Sequence, residues 1–285
     1  MKYQFLRFPG GKGKAVTFSY DDGCRDDIRL AGLMNRYGIK GTFNICNTLV
    51  AASDNEWTLT REEIQTHILD AGHEIAIHGD EHRAPGKLRP IEGIKDALNC
   101  RLGLEEKFGI LVRGMAYPNS GIREIFSYTD YETIRNYLRD LGIVYARSLR
   151  QDNDGFSLPT DFYNWIPTAH HTNPELFTYI DEFLAPLASY YPARNSRLFY
   201  LWGHSFEFSQ HDNWDLAEKI CATLGQKEDV WYATNIEIYE YCHAYDQLIY
   251  SADGKTCYNP TLVDLWVEVD EVLHEVPSGQ TVSLA

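Results

Sequence analysis

Short apolar runs rich in β-branched and aromatic residues recur down this chain, each followed by a segment whose apolar residues repeat with helical period. The runs lie at 15–20, 41–45, 73–77, 110–117, 143–148, 197–202 and 229–234, making seven strand candidates. Between them, Ile28, Leu30, Leu33 and Met34 form a helical face that stops near Gly38. Capping-box patterns at Thr60–Glu63 and Thr129–Glu132 open two more helices, and Asn173-Pro174 opens another. Segments 91–108, 213–224 and 235–245 complete the helical set. Repeated βα units of this kind bury a parallel sheet beneath helices, either open or closed into a barrel.

No low-complexity linker divides the 285 residues, so one α/β domain is expected over 1–245. The tail is different. Val263, Leu265, Val267 and Val269 alternate with Asp264, Glu268 and Asp270. A period of two predicts a strand, paired with 248–250, in a small β appendage over 246–285 packed on the rim.

Composition excludes several function classes. No run of ~18 apolar residues is present, so membrane insertion is not expected. Acidic residues outnumber basic ones 41 to 26, a net charge of −15 that repels phosphate backbones and argues against nucleic acid. A neutral ligand or a cationic product suits that balance. The six cysteines, at 24, 46, 100, 221, 242 and 257, contain no C-x-x-C pair and read as reduced thiols. The first residues, MKYQFLRFPGGKGKAVTF, lack the apolar stretch of a secretory signal, and a cytoplasmic location is expected.

In parallel α/β folds ligands gather at the carboxyl ends of the strands. Asp21 and Asp22 end the first run, His78 the third, Tyr117 the fourth and His204 the sixth. Two carboxylates and two imidazoles on one face make a metal-site composition. His78-Gly79-Asp80-Glu81-His82 sharpens it. Fully extended, at ~3.3 Å per residue, its two histidines would stand roughly 13 Å apart. A helical turn eased by Gly79 would bring them onto one face. With one aspartate they form a three-ligand set with an open position. The other aspartate is then placed to take a proton from water, and His204 to give one to a leaving amine. The order of Asp21 and Asp22 does not by itself say which is ligand and which is base.

SYDDG (19–23), GHEIAIHGDEH (72–82) and LWGH (201–204), in that order on a βα-repeat chain, resemble the NodB-type polysaccharide deacetylases, carbohydrate esterase family 4. The resemblance covers roughly residues 15–240 and implies a distorted (β/α)7 barrel. It implies metal ligation by Asp22, His78 and His82, with zinc the usual ion and cobalt, nickel or manganese alternatives. It makes Asp21 the base and His204 the acid. The family's R-x-P-Y pattern appears here as Arg113-Gly114-Met115-Ala116-Tyr117-Pro118, with Arg113 one residue too far upstream. The Asp/Trp motif that tunes the acid has its counterpart in Asp161 and Trp165. Tyr117 and Trp165 are expected to line a sugar pocket, and the Tyr117 backbone N–H to help hold the oxyanion.

The activity so implied is metal-dependent hydrolysis of an N-acetyl group from an amino sugar in a poly- or oligosaccharide, with a metal-bound water as nucleophile. The alternatives are a hydrolase of a small linear or cyclic amide, as in allantoinase-like relatives, and a non-catalytic carbohydrate-binding homologue. Among other polar residues, His73 reads as structural, His170-His171 as a solvated loop pair and Cys24 as a bystander. Glu207, three residues past His204, is placed to face the site.

Overall fold

The computed structural model describes residues 3–53, 55–119, 128–148 and 155–284. The chain opens with β1 (Gln4–Arg7), and β2 (Lys14–Asp21) begins a series of alternating strands and helices. It continues through α1 (Asp26–Arg36), β3 (Gly41–Ile45), α2 (Arg61–Ile64), β4 (Glu74–Ile77), α3 (Pro90–Phe108), β5 (Gly114–Ala116), α4 (Tyr131–Asp140) and β6 (Tyr145–Arg147). Then come β7 (Ala169–His170), α5 (Leu176–Leu184), β8 (Arg197–Gly203), α6 (Phe206–Gln210), α7 (Trp214–Leu224), β9 (Val230–Tyr232) and α8 (Asn235–Tyr245).

The sheet order is β6-β5-β4-β3-β2-β8-β7, every pairing parallel. Trp165, just before β7, pairs with Arg147 at the end of β6, where Trp165 N–H donates to Ala146 and Ser148 N–H to Trp165. One segment therefore touches β8 on one side and β6 on the other, closing a distorted (β/α)7 barrel. The run at 229–234 is not one of the seven staves. β9 pairs with Lys14–Val16 of β2, whose second half pairs with β3. The seventh stave is β7, which has two regular residues and no apolar run to announce it.

Alternation along the strands separates two environments. On β2, Val16, Phe18 and Tyr20 pack against the helices, together with Phe43, Ile45, Ile75, Ile77, Phe199 and Leu201. Ala15, Thr17, Ser19 and Asp21 alternate with them and face inward. Thr17 bonds Asn235 at the start of α8, and Asn44 donates to Ser19 and Asp21. On β2 the inward side chains are thus small or polar and carry Asp21 to the strand's upper end, while the outward apolar side chains hold the strand against the helices.

The capping box at Thr60 is present, with Thr60 Oγ1 accepting from Glu63 N–H and Glu63 from Thr60 N–H. At the second such pattern the cap is Asp130, one residue later, because the Thr129 hydroxyl donates to the Leu88 carbonyl. Asn173 accepts from Glu175 N–H in a turn ahead of α5, which starts at Leu176 and not beside Pro174.

The tail forms β10 (Ile249–Tyr250), β11 (Thr256–Tyr258), β12 (Leu265–Val269), β13 (Val272–Val276) and β14 (Thr281–Ser283). The alternating segment is a strand, β12, but its partners are β1 and β13, and β10 pairs elsewhere with β11. Asp270 and Glu271 both adopt positive φ, giving the tight reversal that folds β13 back on β12. The buried Arg7 guanidinium pairs with Glu268 at 2.9 Å within this sheet and donates to Ser196 and the Arg194 carbonyl just ahead of β8, which ties the sheet to the barrel. No described helix is long and apolar enough to cross a membrane.

Candidate active site

β2 ends at Asp21, and Asp22 turns away with φ 81°, its N–H donating to the Asn44 carbonyl. The two adjacent carboxylates therefore diverge. Asp21 is buried inside the barrel mouth, while Asp22 faces β4. His78 follows β4 directly. Its Nδ1 lies 2.9 Å from the Ala116 carbonyl, which leaves Nε2 pointing at the aspartates. The chain from His78 to His82 is not helical, as the spacing had suggested. Gly79 at φ 73° and His82 at φ 54° fold it back sharply, and the two rings end 4.8 Å apart. A Cβ at Gly79 would meet the Asp96 carboxylate at 2.7 Å, so this turn requires glycine for space as well as for φ. Asn47 bonds the Asp80 side chain, and Asp96 accepts from Glu81 N–H, bracing the turn on both sides.

Oδ1 of Asp22 lies 3.5 Å from His78 Nε2 and 3.2 Å from His82 Nε2. Two ligands of a tetrahedral zinc, each bonded at ~2.0–2.1 Å, stand about 3.3 Å apart. Oδ1 is buried and accepts no well-formed hydrogen bond. The donor set and spacing fit a divalent ion. Burial alone would raise the Asp22 carboxyl, but the His82 contact and the neighbouring imidazoles outweigh it and hold it below the usual range. The same contact raises His82, whereas burial pushes His78 down.

Asp21 is held at both oxygens. Asn44 Nδ2 donates to Oδ1 at 2.8 Å and the Arg147 guanidinium to Oδ2 at 2.5 Å. Arg147 is 0% exposed, and its guanidinium lies 4.6 Å from the Trp202 ring. Sequence reasoning missed this residue. The available signal was a lone cation at the end of an otherwise apolar strand, which must find a carboxylate if it points inward. Arg113 takes no part: it pairs on the outside with Glu240 at 2.7 Å.

β8 delivers His204 from the opposite wall. Its Nε2 stands 4.0 Å from Asp21 and from Asp22, and its Nδ1 3.4 Å from Glu207 on α6. Burial opposes protonation of His204, but Glu207 and the two aspartates outweigh it, and its pKa is raised.

Three expected substrate residues lie elsewhere. The Tyr117 ring is fully buried with its hydroxyl on the Tyr163 carbonyl, and its backbone N–H donates to Arg147, so it is not available to an oxyanion. Trp165 is 1% exposed and packed edge-on against Tyr145, Phe162 and Tyr200, as core and not as a sugar platform. Asp161 bonds Tyr163 N–H and the Tyr131 hydroxyl, away from His204. Its expected place beside the acid is taken by Glu207. His170 and His171 are also not a solvated pair. His171 is 1% exposed and stacked between Tyr20 and Phe208. His73 accepts from Gly41 N–H, and Cys24 contacts Ser205. Burial and Asp27 push the Cys24 thiol far up, which leaves it inert.

Residues 9–146 match the family model described as polysaccharide deacetylase. That match spans the Asp21-Asp22 turn, the His78–His82 turn and the strand bearing Arg147's neighbours. Over those residues the barrel is similar to the polysaccharide deacetylase family. Among solved structures, a Mycobacterium smegmatis protein classed as a polysaccharide deacetylase superposes with a TM-score of 0.58 at 18% identity, over 86% of this chain and 96% of that one. The Bacillus subtilis peptidoglycan deacetylase PdaC gives 0.50 at 15%, over 82% and 94%. Puue allantoinase gives 0.59 at 13%, over 83% and 92%. At such identities the likeness is one of fold. No curated protein matches the sequence. Within this barrel, the arginine on Asp21 comes from β6, and the carboxylate beside His204 comes from α6.

Proposed function

We propose that this chain removes the N-acetyl group from an amino sugar in an oligo- or polysaccharide by metal-dependent hydrolysis. The observation that carries this reading is the clamp on Asp21, fixed by Arg147 and Asn44, with His78 of a metal-type donor set at 3.8 Å and His204 at 4.0 Å. Asp22, His78 and His82 would hold the cation, which when bound acidifies water and polarises an acyl oxygen. Asp21 accepts the proton that the attacking water must lose. Its two oxygens are immobilised, so it is presented in one orientation, and Arg147 offsets its charge in the buried mouth. His204 holds a proton on Nε2, facing the carboxylates, and passes it to the departing nitrogen. Glu207 at Nδ1 orients that ring and stabilises its charged form.

The mouth is open beside His204. One cavity of about 560 Å³ is bordered by His170, Trp202 and Glu207. Another of about 370 Å³ lies between Phe206 and the exposed Trp57. Open, aromatic-edged cavities of this kind suit neutral sugars, in keeping with the acidic composition.

Acetate release from N-acetylglucosamine oligomers, compared between chelated protein and zinc- or cobalt-loaded protein, tests the reading. Metal-dependent release, lowered on the order of 10²–10⁴-fold by Asp21→Asn, is expected. Release from no acetylated sugar by metal-loaded protein would overturn it and shift the assignment to a small linear or cyclic amide, or to sugar binding alone.

A further inference from the structure

Two groups of described residues have metal-type donor atoms in mutual reach, and only the first belongs to the centre above. The second is His170, His171 and Glu207, of which His170 and Glu207 line the cavity beside His204. We propose that it is a second site for a divalent cation of borderline softness, zinc, cobalt or nickel.

The placement is built by the fold. β7 ends at His170, and the chain bends at once so that two consecutive imidazoles face the same carboxylate, their ring centres 4.5 Å apart. His171 is clamped between Tyr20 and Phe208. Gly203 leaves the room its ring needs, since any side chain there would collide with Nδ1. His170 has Nδ1 occupied by Thr172, which directs Nε2 to Glu207.

The spacing matches that of the first centre. Glu207 Oε2 lies 2.9 Å from His171 Nε2 and 3.3 Å from His170 Nε2, and all three atoms fall within 4.8 Å of one another. The about 3.3 Å between neighbouring ligands of a tetrahedral ion sits within this range. Imidazole with one carboxylate is a donor set that borderline divalent ions favour.

What points to a ligand is the bonding left unmade. His171 is 1% exposed, yet neither of its ring nitrogens makes a well-formed hydrogen bond. Oε2 of Glu207 is likewise buried and accepts none. A buried acceptor facing two imidazole nitrogens is costly when unpaired, and an ion among them would satisfy all three. The cavity along His170 and Glu207 leaves room for water or substrate to complete the coordination. Because Oε1 of the same carboxylate faces His204, an ion on Oε2 would share Glu207 with the proposed acid.

The test counts ions and does not depend on the deacetylase reading. The full chain, freed of metal, is dialysed to equilibrium against zinc and separately against cobalt, and metal per chain is measured. The wild type is expected to hold two ions, His170→Ala one and Asp22→Asn one, with the double variant holding none. His170 borders the cavity, and circular dichroism of each variant confirms that folding is retained. An ion count that folded His170→Ala leaves unchanged from the wild type would overturn the proposal and leave the cluster as a carboxylate–imidazole group without a cation.

Discussion

Replacing Arg147 with methionine isolates the ion pair that the barrel buries at its mouth. Methionine keeps much of the length and apolar contact but removes the charge. Asp21, 2% exposed, would keep the Asn44 hydrogen bond at 2.8 Å and lose the guanidinium at 2.5 Å. Removing one partner of a buried pair costs about 3–5 kcal/mol, because the remaining charge is uncompensated. The lost contact with the Trp202 ring adds about 0.5–2 kcal/mol within that figure. Asp21→Asn alone should cost a similar amount by stranding Arg147. The double variant removes both charges, so it should recover about 2–3 kcal/mol relative to the sum of the singles. Urea unfolding of the four proteins, with a chelator present so that no cation substitutes for Arg147, measures this cycle. Additive losses, or a loss below about 1 kcal/mol for Arg147→Met, would refute the argument that Arg147 neutralises Asp21.

Three further outcomes are expected. Glu207→Gln should lower kcat by about 10–100-fold. Since Glu207 raises the pKa of His204, its loss should also move the basic limb of the kcat–pH profile to lower pH, and an unmoved limb would detach Glu207 from the acid. His82→Ala should weaken zinc binding by more than the ~10–100-fold that an outer partner commands, read by competition with a chromogenic chelator. Burial pushes His73 down to about 4 from an ordinary value of 6.5, so the unfolded chain takes up a proton that the folded chain refuses. Stability from this group is therefore complete above pH 6.5 and falls as the pH drops toward 4, by roughly 3 kcal/mol. His73→Gln should flatten that part of the urea-midpoint profile, and an unchanged slope would count against it.

Much of the centre was legible in the sequence because it is local. The D-D-G turn, the H-G-D-E-H loop and the histidine after β8 each need only a strand end, a short reversal and the right side chain. These are properties of neighbouring φ/ψ angles and of period-two alternation. The inward set on β2 follows from the same alternation and carries Asp21 into the mouth. β7 was invisible because two regular residues give no periodic signal, and its pairing is decided by the edges that closure leaves open.

Only the tertiary structure decided which polar groups meet. Arg147 lies 126 residues beyond Asp21, and no spacing rule links them until the sheet curls shut. The same closure buries Tyr117 and Trp165, turning an expected sugar surface into core. It also brings Glu207, His170 and His171 onto one side of His204. Side-chain chemistry and local backbone geometry reside in the sequence. Burial, long-range charge pairing and the loss of a backbone donor to a neighbouring strand exist only once distant segments are packed together.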